Sequence, residues 1–281
     1  MARIDPHTHS SASDGTEAPA ELMRAAAAAG LDVIGLTDHD TWQGWAEAAA
    51  AVTRTGVSLL RGAELSTVTD GISVHLLSYL HDPDDGALLA EARAARESRI
   101  QRARRMVANI GRDYELTWHD VEQEAAEKAT VGRPHIADAL VARGHVPDRS
   151  AAFAEILHPR GPYYVPYYAP DTAEAVRLVR AAGGVPVMAH PLAASRGRVV
   201  VEEVIERLAD AGLAGLEADH RDHSPEAVAR VRRLAQRLGL FVTGSSDYHG
   251  TGKPNRLGEH LTSPEVLEQI LAEGRLGLVE P

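Results

Sequence analysis

The 281-residue sequence contains no cysteine. Disulfides, thiolate nucleophiles and zinc–thiolate sites are therefore excluded, and the absence fits the reducing cytoplasm expected for this chain. Long apolar runs are missing too. No stretch reads as a membrane span, and no charged-then-apolar segment at the start reads as a signal peptide, so a soluble protein is expected. Lysine occurs only at Lys128 and Lys253, and the formal net charge is −11. A broad basic face for long nucleic acid is therefore not expected. A small anionic substrate stays compatible, because metal ions and arginines reverse the field inside a cleft. The shortage of lysine beside abundant alanine and arginine reads as coding bias.

What is present is enough for a core. Hydrophobic residues make up 44% of the chain, which suits one large domain, or a large domain with an insertion, without covalent staples. Short apolar runs at 4–9, 31–37, 57–64, 72–80, 185–189, 213–218 and 240–244 read as strands. Helical patterns separate most of them, beginning after Pro19 and running through 44–55, 172–182, 201–211, 225–238 and 263–273. Residues 86–160 show no convincing strand, only helices over 86–110, 117–127, 133–142 and 148–157. The division predicted is a barrel from 1–82 and 161–281, with a helical insertion at 83–160 that caps its mouth. The fold class is α/β. Alternating strands and helices argue for a parallel sheet, and about seven units favour a closed or nearly closed (β/α)7 barrel.

The polar residues fall at telling places. His7 and His9 stand at i and i+2, which on a strand puts both on one face. Asp14 follows on a Ser- and Gly-rich loop. His39, Glu64, His190, Asp247 and His249 lie at or just past the ends of strand-like runs, where a β/α barrel builds its active site. His75 lies inside its run and needs an inward-facing side chain. Imidazoles and carboxylates without thiolates suit manganese, iron or zinc better than calcium or magnesium. Nine donors are too many for one ion and suffice for three if a carboxylate bridges. Such a cluster generates hydroxide near neutral pH and clamps phosphoryl oxygens, the two needs of phosphate-ester hydrolysis.

In this order, His7-Thr8-His9, Thr37-Asp38-His39-Asp40, Glu64, His190-Pro191 and Ser246-Asp247-Tyr248-His249 resemble the PHP (polymerase and histidinol phosphatase) family over nearly the whole chain. The resemblance implies a distorted seven-stranded barrel and a metal cluster of two or three divalent ions. It implies that Glu64 bridges two ions. His7, His9 and Asp247 would share the first, His75 and His190 the second, and Asp14, His39 and His249 the third. Glu64, Asp247 and His190 would stand at the catalytic centre. A polymerase body is not expected beside this chain. Val131-Gly132-Arg133-Pro134-His135-Ile136-Ala137 resembles a stand-alone subgroup that hydrolyses nucleoside 3′,5′-bisphosphates and AMP, some relatives trimming short RNA 5′ ends.

Arg133 and His135, at a helix start, are candidate substrate contacts, because helix N-termini and positive side chains favour phosphate. Arg160 and His223 are further candidates. His81, His119, His145, His158 and His260 read as surface histidines, and Tyr163, Tyr164, Tyr167 and Tyr168 as packing between insertion and barrel. The function expected is hydrolysis of a small phosphorylated substrate, a nucleotide before histidinol phosphate or another sugar phosphate. A short-RNA 5′ exonuclease and a non-catalytic binding scaffold are the other readings. The scaffold reading is disfavoured because all nine donors are retained.

Overall fold

The structure is a computed structural model and describes residues 2–125, 131–158 and 160–281. Seven strands form one sheet in chain order: β1 (Ile4–Thr8), β2 (Val33–Leu36), β3 (Ser58–Thr69), β4 (Ile72–Tyr79), β5 (Val185–Met188), β6 (Gly215–Asp219) and β7 (Phe241–Gly244). The sheet curls until its ends meet. His9 N–H donates to Tyr248 O at 2.9 Å, and Asp247 N–H donates to His7 O at 3.0 Å, so the loop after β7 zips onto β1. The result is a nearly closed, distorted α/β barrel.

Helices pack outside it. Helix α1 (Pro19–Ala28) begins on a proline, whose missing N–H is not needed in the first turn. It buries Leu22, Met23 and Ala26, and α2 (Trp45–Thr55) buries Trp45, Ala48, Ala51 and Val52. Both sets follow the three-to-four-residue spacing of one helix face, and together with Ile34, Leu36 and Leu59 they make one apolar cluster. Each fully buried leucine there contributes about 2 kcal/mol. Where β1 and β2 touch, a Cβ on Gly35 would lie 1.9 Å from Pro6 O, so only glycine lets these backbones approach.

The expected parallel sheet has one exception. β1, β2 and β3 are parallel, as are β5, β6 and β7, but β4 runs antiparallel to both neighbours. The cause is local. Only Asp70 and Gly71 separate β3 from β4, and both have positive φ, 51° and 71°. That is the two-residue turn of a hairpin, with no room for a crossover helix. Two consequences follow. His75 pairs with Ser66 near the start of a reversed strand, which brings it to the end of the barrel where the parallel strands finish. Glu64 is not at a strand end as expected. It sits mid-way along the twelve-residue β3, where pairing with β2 has ceased and pairing with β4 continues.

Between β4 and α7 (Thr172–Ala181) the chain is helical: α3 (Gly86–Ile110), α4 (Trp118–Gln123), α5 (Arg133–Ala142) and α6 (Arg149–Glu155). The expected end of the helix at 126–127 lies outside the described residues. These helices have their own apolar cluster around Met106, Ile110, Val121, Ile136 and Leu140. Helices α8 (Glu202–Asp210), α9 (Pro225–Leu238) and α10 (Pro264–Glu273) complete the barrel's outer layer. Among the described residues no helix is long and apolar enough to cross a membrane.

His81, expected at the surface, is fully buried. Its ring packs 4.7 Å from Trp42 and 5.0 Å from Trp45. Burial pushes its pKa down to about 4. The unfolded chain therefore takes up this proton first, and the stability His81 contributes at neutral pH is lost as pH falls from 6.5 toward 4. We expect about 2–3 kcal/mol of acid destabilisation between pH 7 and 4.5 from this group. Urea unfolding of chelator-treated wild type and His81→Gln at both pH values checks it. Equal pH slopes in the two proteins would refute the assignment.

Candidate metal centre

The mouth of the barrel gathers its donors from every part of the sheet. β1 directs His7 and His9 to one side, with ring centroids 5.1 Å apart. The loop after them is fastened by Asp38, which accepts from Ser10 N–H at 2.9 Å, Ser10 Oγ at 2.7 Å and Ser13 Oγ at 2.6 Å. This places Asp14 under His249, with Oδ1 3.3 Å from Nε2. Asp40 faces the other way. It accepts from Ser66 N–H at 2.7 Å and from Arg99 Nη2 at 3.1 Å. His39, between these two anchored carboxylates, turns toward the centre.

Glu64 occupies that centre, 1% exposed. Its Oε1 lies 2.6 Å from His75 Nδ1 and 3.2 Å from His190 Nε2. Its Oε2 lies 3.3 Å from His7 Nε2, 3.1 Å from His9 Nε2 and 3.2 Å from His39 Nδ1. One carboxylate is thus ringed by five imidazoles. Asp247 Oδ1 faces His9 Nε2 at 3.2 Å and His7 Nε2 at 3.5 Å.

Among the described residues, three overlapping groups have donor atoms within 4.8 Å of one another: His9, Asp14, His39 and His249; His7, His9, Glu64 and Asp247; and His39, Glu64 and His75. His190 stands beside the last group through Glu64. The fit to divalent ions rests on more than proximity. His9 Nδ1, His39 Nδ1 and His249 Nε2 are buried without a hydrogen-bond partner. Buried imidazole nitrogens left bare beside carboxylates are costly unless an ion takes them. His249 Nδ1–H donates to Asp247 O at 2.8 Å, so its bare Nε2 keeps a lone pair for such an ion.

The electrostatics are those of a site that wants cations. Burial alone would raise Glu64, yet His39, His75 and His7 hold it well below the usual carboxylate range. Burial opposes ionisation of Asp247 too, but Lys253, Arg196 and His249 hold it low. Burial drives His39 well below its ordinary value, His190 to about 3 and His249 to about 4. His7 goes the other way: burial is outweighed by Glu217 and Glu64. Strained backbone marks the same places. Asp40, His190 and Asp247 have φ of 52°, 30° and 51°, a left-handed region unfavourable to non-glycine residues.

Several site residues had not been singled out from sequence. Glu217, fully buried, accepts from His7 Nδ1 at 2.9 Å, from His190 N–H at 2.8 Å and from the Ser245 hydroxyl. It fixes the His7 tautomer so that Nε2 faces the other donors. The only signal in sequence is a carboxylate inside an otherwise apolar strand. Asp5 accepts from Ser246 N–H at 3.0 Å and Gly258 N–H at 2.8 Å, which holds the loop carrying Asp247.

The expected substrate contacts separate. His135 is buried and lines a cavity of about 440 Å³ with Asp14, Thr16, Arg149 and Gly252. Its Nδ1 accepts Gly132 N–H at 3.1 Å, so the proton sits on Nε2. Arg133 starts α5 with its guanidinium 5.4 Å over the Phe153 ring. Arg160 is exposed. His223 needs correction as a contact: Nδ1–H donates to Ala218 O at 2.7 Å and Nε2 accepts Leu192 N–H at 3.1 Å. Both nitrogens are spent on tying β6 to the loop after His190. Its neighbour His220 faces Asp247 instead, at 3.6 Å.

A family model described as PHP domain matches residues 5–129. The chain is 34% identical to the 3′,5′-nucleoside bisphosphate phosphatase of Chromobacterium violaceum, over 100% of this chain and 99% of that one. It is 31% identical to a 5′-3′ exoribonuclease of Haemophilus influenzae, over 88% and 90% of the two chains. Among solved structures, a Bifidobacterium adolescentis protein taken to be a metal-dependent phosphoesterase superposes with a TM-score of 0.94 at 41% identity, covering 96% of each chain.

Proposed function

The chain belongs to the PHP-domain family of metal-dependent phosphoesterases, and from that premise we propose that it is a phosphatase of small nucleotides, acting on nucleoside 3′,5′-bisphosphates and then AMP. The observation that carries this is the donor cluster around Glu64, one member of which, Asp14, also lines a cavity sized for a small molecule. Two or three divalent ions, manganese, iron or zinc, are assigned to His7, His9, Asp14, His39, Glu64, His75, His190, Asp247 and His249. When bound, they would activate water and neutralise phosphoryl charge.

The chain's own residues supply the rest. Glu217 holds the His7 ring in one tautomer, and Asp38 and Asp5 hold the loops that deliver Asp14 and Asp247. His135 presents Nε2–H to the cavity as a hydrogen-bond donor. Arg133, at the α5 N-terminus, is assigned the substrate's second phosphate, with Arg160 reaching in from its loop. Residues 83–160 act as the cap that excludes water, which strengthens each contact to phosphate. The nucleotide reading is favoured by similarity to the Chromobacterium enzyme over the full chain. A 5′ exoribonuclease of short RNA is the second reading, favoured by the Haemophilus relative.

The test is a series of kcat/KM values under one metal condition. We expect adenosine 3′,5′-bisphosphate above AMP by about tenfold or more, because one added phosphate contact contributes about 1.4 kcal/mol or more. AMP should exceed histidinol phosphate, and long RNA should be poorest. Histidinol phosphate at the head of the series would defeat the nucleotide reading, and short 5′-phosphorylated RNA at the head would establish the second one.

A further inference from the structure

Asp247 is approached on its outer oxygen by more positive charge than one carboxylate needs. Its Oδ1 faces His7 and His9, as described. Its Oδ2 lies 2.6 Å from Arg196 Nη2, 3.1 Å from Lys253 Nζ and 3.6 Å from His220 Nε2. Arg196 sits on the short 3-10 turn Ala194–Arg196 that follows His190. Its Nε–H donates to Asp222 at 2.6 Å, and its Nη1 lies 3.0 Å from His190 Nε2. Lys253 is one of only two lysines in the chain. Both side chains come from the solvent side, 30% and 31% exposed, while Asp247 is 1% exposed.

A counter-ion role would be met by either cation alone. Moreover, Asp247 and His190 are donors assigned to divalent ions, and two such ions already outweigh the three carboxylates of the donor groups. An ion held by Asp247 Oδ1 and His190 would offset the negative charge that Arg196 and Lys253 now face, because those two cations contact Asp247 Oδ2 and Arg196 also contacts His190. Arg196 stays anchored by Asp222, with its Nη2 also 3.5 Å from His220 Nε2. Two part-exposed cations that converge on one buried carboxylate oxygen, at the edge of a cluster whose charge divalent ions would already offset, form an anion receptor.

The geometry points to Arg196 and Lys253 as a phosphoryl clamp: they hold the oxygens of the phosphoryl group that reacts. This rests on the phosphatase reading above and adds residues that reading did not contain. Arg196, with its planar fork, is the main donor, and Lys253 is a second point charge.

Inorganic phosphate is the probe. It is titrated by calorimetry into metal-loaded wild type, Arg196→Gln, Arg196→Lys and Lys253→Gln, with metal content per chain measured on the same samples. Arg196→Gln is expected to weaken phosphate binding about tenfold or more, with part of the loss recovered in Arg196→Lys. Lys253→Gln should weaken it roughly threefold or more. Metal content should not change, and kcat/KM for AMP should fall with the affinity. Three results would overturn the clamp: wild type failing to bind phosphate, variants binding like wild type, or metal content falling in step with affinity. The last would make both residues counter-ions of Asp247. The underlying reading fails separately. If phosphate binds through Arg196 but no phosphomonoester is turned over, the clamp stands and the phosphatase assignment falls.

Discussion

Glu64→Gln should lower kcat by roughly a thousandfold or more, the equivalent of about 4 kcal/mol of transition-state stabilisation. The substitution keeps the shape of the side chain and removes its charge. In the native chain five imidazoles converge on the two carboxylate oxygens at 2.6–3.3 Å. An amide presents one acceptor oxygen and one NH2 group to the same surroundings, so one set of imidazoles meets a donor where it had an acceptor. The charge that two donor groups share, one with His7, His9 and Asp247 and one with His39 and His75, is lost from both at once. The depressed pKa of Glu64 carries a second consequence. Its carboxylate stabilises the metal-free fold above the unfolded value of 4.5, and that contribution is lost as pH falls below it. Metal-free Glu64→Gln should therefore be less stable than wild type at pH 7 and should close the gap in acid. Steady-state kinetics, metal analysis and urea unfolding measure all three. A kcat within a few-fold of wild type, with full metal content, would show that Glu64 does not join two ions.

The donors around Glu64, His75 apart, were legible because each stands at or just past the end of a short apolar run. A buried strand four or five residues long has few places for a histidine except its end, so His7, His9, His39 and His190 announce themselves. Strand direction was harder to read. Asp70-Gly71 has the composition of a turn, but the reversal of β4 follows only once that pair is recognised as the whole connection. The same reversal explains His75, which looked misplaced inside its strand. Glu217 escaped notice because a lone carboxylate has no spacing partner, and its three hydrogen bonds come from β1, the start of the loop after β5 and the loop after β7. Arg196 and Lys253 sit six residues beyond His190 and Asp247, on segments whose path no periodicity records. His220 and His223 lie three residues apart past β6, and only the backbone path turns the first toward Asp247 and the second onto Leu192 N–H. His81 shows the same limit in the core: nothing in sequence says that Trp42 and Trp45 will close over it.

Stripping the metal from loaded protein should abolish turnover, and its return should be steeply dependent on stoichiometry. The three donor groups are not independent: His9 belongs to two of them, His39 to two, and Glu64 to two. An ion entering one group orders side chains that the next group needs, and it offsets carboxylate charge felt by all three. Stability should follow. Ions that bind only the folded chain stabilise it by about 4 kcal/mol at a thousandfold excess over Kd. For a domain of this size that corresponds to a Tm shift of roughly 8 °C or more. Chelator-treated protein should therefore melt at least that much lower and show less than about 1% of the original rate, the level expected when several kcal/mol of transition-state charge stabilisation are removed. Manganese, iron or zinc is then added back in fractions of an equivalent while rate and bound metal are recorded together. We expect little activity up to one ion per chain and a rise only as the second is bound, with saturation at two or three. A rate that climbs linearly and saturates at one ion would mean that a single position does the chemistry. A stripped protein with its full rate would remove metal from the mechanism altogether, and the bare nitrogens of His9, His39 and His249 would then need another explanation.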